Sequence, residues 1–297
     1  MSKVGEYVYL YGMVMSTHSF LLNGAFPKED GYGEIREKHY VLGGETGTAA
    51  AVLAGLGVNS KLAGTHLGNL NRDLILDYFQ DKPVDTTELA MEDYDGVIDN
   101  VFISGNARTC FGEFYIYFGR KEPFYEPPKE ESIKNAACVG ADPYFGEEVA
   151  HLAVKHGKPY ATIDCPYDSY MNAHCEINAI SHQYLKDTYP GRSFEELMEL
   201  YTAHTDGLVI FTHGEKEILY GRKGKEFKYF KPYSLNVVST LGAGDSFKAG
   251  TIYGLYHHFS DDDIVKYASA IAGIACTKYP IPLNPPVKEE VEALVKG

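Results

Sequence analysis

The sequence predicts an α/β protein in which a mainly parallel sheet is covered by helices on both faces. Three observations predict it. Short apolar runs rich in β-branched and aromatic residues alternate along the chain with stretches of helical pattern, the order that parallel strands with crossover helices require. The 297 residues, 44% of them hydrophobic, are enough to bury a large core and include no repeated or low-complexity stretch. A Gly-Ala-Gly-Asp turn stands just before a helical run, as at the carboxyl edge of a sheet where such folds bind ligands.

The elements follow in order. "YVYLYGMVM" is a β-forming apolar run broken by glycine, a buried strand ending at a turn. "FPKEDGYGEIREKHYVLGG" mixes turns with polar strands and buries little by itself. "TGTAAAVLAGLG" is rich in alanine and leucine, offers a threonine for capping and stops at glycine, which predicts a buried helix. "SKLAGTHLG" and "NRDLILDYFQDK" repeat strand and helix. Between about residues 97 and 120 alternating aromatic and β-branched residues surround Gly105-Asn106, a hairpin signal whose second face should meet a ligand or another subunit. "AACVGAD", "GEEVAHLAVKHG", "KPYATIDC", "SFEELMELYTAH" and "DGLVIFTHG" continue the alternation, and helices near 244–259, 261–276 and 287–296 complete the chain.

Composition narrows the function. A formal net charge of -14 without a dense run of Lys and Arg argues against nucleic acid as a partner. An anion bound here is to be held locally, by backbone N–H groups or a few cations. The first twenty residues lack the apolar core of a signal peptide and the span of a membrane helix, so a soluble protein is expected. Five cysteines without a C-x-x-C pair fit a reducing cytoplasm with mostly buried thiols.

The stretch "STLGAGDSFKAG", residues 239–250, carries the chemistry. Gly242 and Gly244, flanking Ala243, allow a tight turn with uncovered N–H groups at a helix start, a ready anion site. Asp245 can cap that helix, or it can take the proton of an attacking hydroxyl while the N–H groups steady a transferring anion. Both readings stand on spacing alone.

The same stretch resembles the C-terminal signature of the ribokinase-like, or PfkB-type, carbohydrate kinases, D-T-x-G-A-G-D-x-F-x-x-G. "GGETGTAAAVLAGLGVNSKLAGTHLG" is similar to the family's N-terminal glycine pair and helix, and "FTHGEKE" echoes its T-x-G turn. The resemblance spans nearly the whole chain. It implies a three-layer α/β/α sandwich over residues 1–297 with a small β-sheet lid from segments near 15–40 and 97–120, and a homodimer through that lid. It implies Asp245 as base, with the N–H groups of Gly242, Ala243 and Gly244 as anion hole. Thr212, Gly214 and Thr240 would meet the nucleotide, and ATP with Mg²⁺ would be the donor. The acceptor, a small sugar or polyol, would lie between lid and sheet, against Thr17, Gly43, Gly44, Thr48 and Arg108. A nucleoside kinase and a non-catalytic binding relative are the alternatives.

Four positions depart from the family pattern. Thr17, followed by His18, stands where an aspartate commonly holds sugar hydroxyls. Thr48 replaces an acceptor-binding asparagine. No N-x-x-E occurs, its nearest register offering Ser181 and Tyr184, so the metal ligands stay unassigned. Ser239 replaces the leading aspartate. Asp142 and Asp164, ending apolar runs, are expected to cap loops, and Arg108 to be a solvated strand-edge residue or an anion contact.

Overall fold

The computed structural model describes residues 6–105, 107–118 and 124–297. Asn106 of the expected hairpin turn and residues 119–120 of the expected lid segment lie outside the described residues.

Nine strands form the larger sheet: β1 (Val8–Gly12), β4 (Ser60–Gly64), β5 (Val84–Glu88), β8 (Cys138–Ala141), β9 (Tyr160–Ile163), β10 (Ile177–Ser181), β11 (Leu208–Thr212), β12 (Ile218–Gly221) and β13 (Lys228–Phe230). Their order is β13-β12-β11-β10-β9-β8-β1-β4-β5. From β11 to β5 every pair is parallel, while β11–β12 and β12–β13 are antiparallel. The helices are α1 (Glu45–Gly55), α2 (Arg72–Phe79), α3 (Phe114–Phe118), α4 (Glu130–Asn135), α5 (Glu148–Lys155), α6 (Tyr170–His174), α7 (His182–Thr188), α8 (Phe194–Ala203), α9 (Ala243–Tyr256), α10 (Asp261–Cys276) and α11 (Lys288–Lys296).

Strand β1 shows why the sheet is covered on both sides. Successive side chains point to opposite faces. Val8 and Leu10 join Ala50, Leu53, Ile252 and Ile271 from α1, α9 and α10, whereas Tyr9 and Tyr11 join Val149, Ala150 and Ala153 from α5. Each buried tyrosine needs a partner for its hydroxyl; Tyr11 donates to Glu126 O at 2.7 Å. A third cluster packs Leu197, Met198 and Tyr201 of α8 on Ile180, Val209 and Phe211. Truncating a fully buried leucine such as Leu10 to alanine is expected to cost about 2–5 kcal/mol.

The caps explain the helix starts. At α10, Ser260 Oγ accepts from Asp263 N at 3.2 Å, and three aspartates in the first turn favour the helix dipole. At α1 the expected threonine cap is corrected: Gly44, at φ 79, is the N-cap and makes no side-chain bond, leaving Thr46 and Thr48 buried inside the helix.

The smaller sheet, the lid, has the order β3 (Ile35–Gly43), β2 (Met15–Leu22), β6 (Ile98–Ser104), β7 (Ala107–Gly112). β2 runs parallel to β6, and the outer pairs are antiparallel. Its two faces differ. Phe20 stacks on Phe102 with ring centroids 5.0 Å apart, and Phe26 and Phe111 pack edge-on to Phe102. On the opposite face Ser19 meets Tyr279 of the body, Oγ to Oη 2.8 Å. Among the described residues no helix is long and apolar enough to cross a membrane. Cys138, Cys165, Cys175 and Cys276 are buried free thiols and Cys110 is exposed on the lid.

Candidate functional site

The Gly-Ala-Gly-Asp turn is held from behind. Residues 231–240 form no strand; the N–H groups of Val238 and Ser239 both donate to Cys276 O, at 2.8 and 3.1 Å, which moors the loop to the end of α10. Ser239 Oγ accepts from Leu241 N at 3.2 Å. Gly242 then turns the chain at φ 76, a left-handed conformation that a side chain disfavours, and opens α9. Ala243 N–H donates back to Thr240 O at 3.2 Å, so it is engaged within the turn. The N–H groups of Gly242 and Gly244 have no protein partner among the described residues, and a Cβ on Gly244 would meet nothing within 4 Å. An open face and outward N–H groups at the start of a 14-residue helix suit a phosphate.

Asp245 lies in the first turn of α9, half-buried, yet it does not cap: the N-cap Gly242 makes no side-chain bond and the carboxylate has no hydrogen-bond partner among the described residues. Burial pushes its pKa up to about 7, with Glu45 adding to the rise and Lys248 and Arg108 opposing it. A carboxylate poised near neutrality is suited to accept a proton.

Beneath it lies a charged group that spacing did not single out. Lys248, one turn along α9 and fully buried, forms an ion pair with Glu45 of α1 and donates to Ala141 O at 3.0 Å. Asp142, at the end of β8, accepts from Met13 N at 3.2 Å and from Tyr144 N at 2.9 Å, the loop-capping role expected of it. Its carboxyl is also raised, first by burial and then by Glu45. The starts of α1 and α9 converge here. The Cβ that Gly242 lacks would sit 3.4 Å from Thr48 Cγ2 and 3.0 Å from Ile281 Cδ1.

On the lid side, Thr17 is buried and a Cβ on Gly43 would overlap its Oγ1, so the glycine makes room for the hydroxyl. Gly44 approaches Met13 O closely, while Thr46 and Gly47 donate to that same oxygen at 3.1 Å each. Arg108 of β7 is exposed but not merely solvated: its Nη1 donates to Thr240 O at 3.1 Å and to Thr240 Oγ1 at 3.0 Å, bridging lid and turn. A cavity of about 540 Å³ lies between Leu21, Arg36 and Ile103 of the lid and Val238, Ser239 and Tyr279 of the body. That volume suits a small molecule.

The remaining predicted positions lie along the carboxyl edge of the sheet. Thr212 ends β11 in register with Ser181, which ends β10, and Gly214 turns at φ 60 in the following loop. No hydrogen bond among the described residues joins Thr212 or Gly214 to the 240–245 turn. Asp164, just past β9, accepts from Ser181 N at 2.7 Å, so the register where N-x-x-E is missing is tied to a neighbouring aspartate. Among the described residues no group of three or more His, Cys, Asp or Glu is placed to hold a metal.

Comparison with known proteins places this geometry. The family model described as pfkB family carbohydrate kinase matches residues 171–281. A 5-dehydro-2-deoxygluconokinase of Bacillus subtilis is 35% identical over 108 residues, covering 36% of this chain and 33% of that protein. One from Halalkalibacterium halodurans is 30% identical over 169 residues, covering 57% of this chain and 48% of that protein. The matches therefore span between about a third and a half of these curated relatives. Arabidopsis thaliana ribokinase complexed with ribose and ATP superposes with a TM-score of 0.81 at 17% identity over 99% of both chains. Methanocaldococcus jannaschii nucleoside kinase superposes with a TM-score of 0.75 at 16% identity over 99% of both. The chain therefore has the ribokinase fold over its whole length, and its C-terminal part, residues 171–281, matches the pfkB family carbohydrate kinase model.

Proposed function

We propose that the protein is a sugar or polyol kinase that transfers the terminal phosphoryl group of ATP to a hydroxyl of a small acceptor. The carrying observation is Asp245: half-buried, uncapping, without a protein partner and raised to about 7, beside the open N–H face of Gly242 and Gly244. In this reading Asp245 takes the hydroxyl proton. Gly242 and Gly244, with Ala243 shaping the turn, donate to the phosphate oxygens as charge shifts onto them. Thr240, Thr212 and Gly214 border the nucleotide, and Thr17, Gly43, Gly44, Thr48 and Arg108 border the acceptor. Residues 1–297 act as one kinase domain, with the lid built from the segments near 15–40 and 97–120.

The residues present fit ATP at the open face of the turn, where the N–H groups of Gly242 and Gly244 have no protein partner among the described residues. Mg²⁺, usually held by one or two carboxylates with phosphates and water, would meet the Asp164 carboxylate at the sheet edge, whose two oxygens also accept from Ser181 N and Oγ. Bound ATP supplies the phosphoryl group and Mg²⁺ offsets its charge. A sugar acceptor is favoured over a nucleoside by the name shared by the curated relatives. Phosphorylation of a pooled set of sugars, polyols and nucleosides, followed by mass spectrometry, tests the reading; a nucleoside product alone would replace it with the second one.

The apolar outer face of the lid supports a homodimer, since Phe26, Tyr40 and Phe111 are each more than two-fifths exposed there. A mass of one chain by light scattering at micromolar concentration would contradict it. The buried free thiols support a cytoplasmic setting.

A further inference from the structure

The lid carries an acidic residue that the signature does not contain. Asp99 lies on β6 directly across from Thr17 of β2 in the parallel register, on the face of the lid that carries Ser19 toward the body. Its Oδ1 is buried and has no hydrogen-bond partner among the described residues. Burial pushes its pKa up to about 6, opposed by the Thr17 hydroxyl and the Asp99 N–H and aided by the nearby Glu113, whose Oε2 accepts from Ile98 N at 3.1 Å.

A buried carboxylate oxygen without a donor is unfavourable, and native proteins rarely leave one so. The donor it lacks can come from a ligand. Asp99 fronts the same space as the base: its charge reaches Asp245, and Cys110 on β7 feels both carboxylates. Arg108, the cation on this part of the lid, is already engaged with Thr240.

We infer that Asp99, with Thr17 beside it, clamps the acceptor, so that the carboxylate missing from β2 is supplied by the neighbouring strand β6. An ionised carboxylate only accepts hydrogen bonds. The end of the acceptor that meets it therefore carries donors, a pair of hydroxyls or an ammonium, and no acidic group. Gly43 belongs to the same device, because without a Cβ it leaves space for Thr17 Oγ1. The inference rests on the kinase reading for calling that ligand the acceptor.

Binding and turnover are to be measured separately. Thermal shifts of the full chain are titrated with D-ribose, D-fructose, myo-inositol and D-glucosamine, in native protein, Asp99→Asn and Asp99→Ala. ATP is titrated alone as the control for folding. The expected result is that at least one probe stabilises native protein, that its apparent Kd rises tenfold or more in both variants, and that the ATP shift is unchanged. Equal affinity in native and Asp99→Ala protein overturns the inference, and so does the absence of a shift in native protein with all four probes. Asp99-dependent binding of a probe that gives no phosphorylated product when incubated with native protein, ATP and Mg²⁺ upholds the clamp and overturns the kinase reading.

Discussion

Arg108 and Thr240, 132 positions apart in the chain, are joined by two hydrogen bonds from one guanidinium nitrogen, 3.1 Å to the carbonyl and 3.0 Å to the hydroxyl. The pair ties the lid to the turn that carries Asp245, and the same cation opposes the rise of the Asp245 carboxyl. Arg108→Ala is expected to raise the acceptor KM by roughly tenfold, the scale of one hydrogen bond to a charged group. The acid limb of its pH–rate profile should also move to higher pH, because a cation that favoured the ionised base is gone. An unmoved limb would show that Arg108 does not act on the base.

Asp245 carries a stability signature as well. Its pKa is near 3.9 when unfolded and is raised to about 7 in the fold, so between those values the folded chain binds more protons and stability falls as pH rises. Asp245→Asn should therefore melt at a higher temperature than native protein at pH 8. The difference should close as pH falls towards 4. Thermal melts across that range check the sign.

The Lys248–Glu45 pair is the structural support beneath the site. Lys248→Met leaves Glu45 without its cation in a largely buried setting, and removing one partner of such a pair costs about 3–5 kcal/mol. Urea denaturation of the single variant and of Lys248→Met with Glu45→Gln should show the double variant recovering much of the loss. Additive losses would mean that the two residues do not depend on each other.

Gly242→Ala places a side chain at φ 76, with a Cβ 3.0 Å from Ile281 Cδ1. A left-handed conformation is less favourable by about 1–2 kcal/mol for such a residue. Stability should fall by about that amount, and turnover by more, since the N–H groups of the turn lose their aim. Chemical denaturation and initial rates separate the two effects.

Much of this was legible in the chain. The apolar run of β1 and the alanine-rich run of α1 follow from local composition, and the tight turn from its glycines. The partnerships were not, because they are made by topology. Lys248 reads as an ordinary helix lysine until α9 is seen packed between α1 and α10. Asp99 reads as the polar half of an alternating strand until β6 is placed parallel to β2. Glu45 stands in the glycine-pair segment at a position whose spacing carries no signal, and its cation lies about 200 residues away. The expected threonine cap of α1 failed for a local reason: Gly44 reaches a backbone angle that starts the helix without one.

The measurement that bears most directly on the central claim is initial-rate phosphoryl transfer from ATP with Mg²⁺ to a pooled acceptor set, read by mass spectrometry, for native protein and Asp245→Asn. A general base contributes on the order of 10²–10⁴ in rate. Native protein should give a single product carrying one added phosphate, and the variant a loss of that size with acceptor binding retained. Near-native turnover by Asp245→Asn would contradict it.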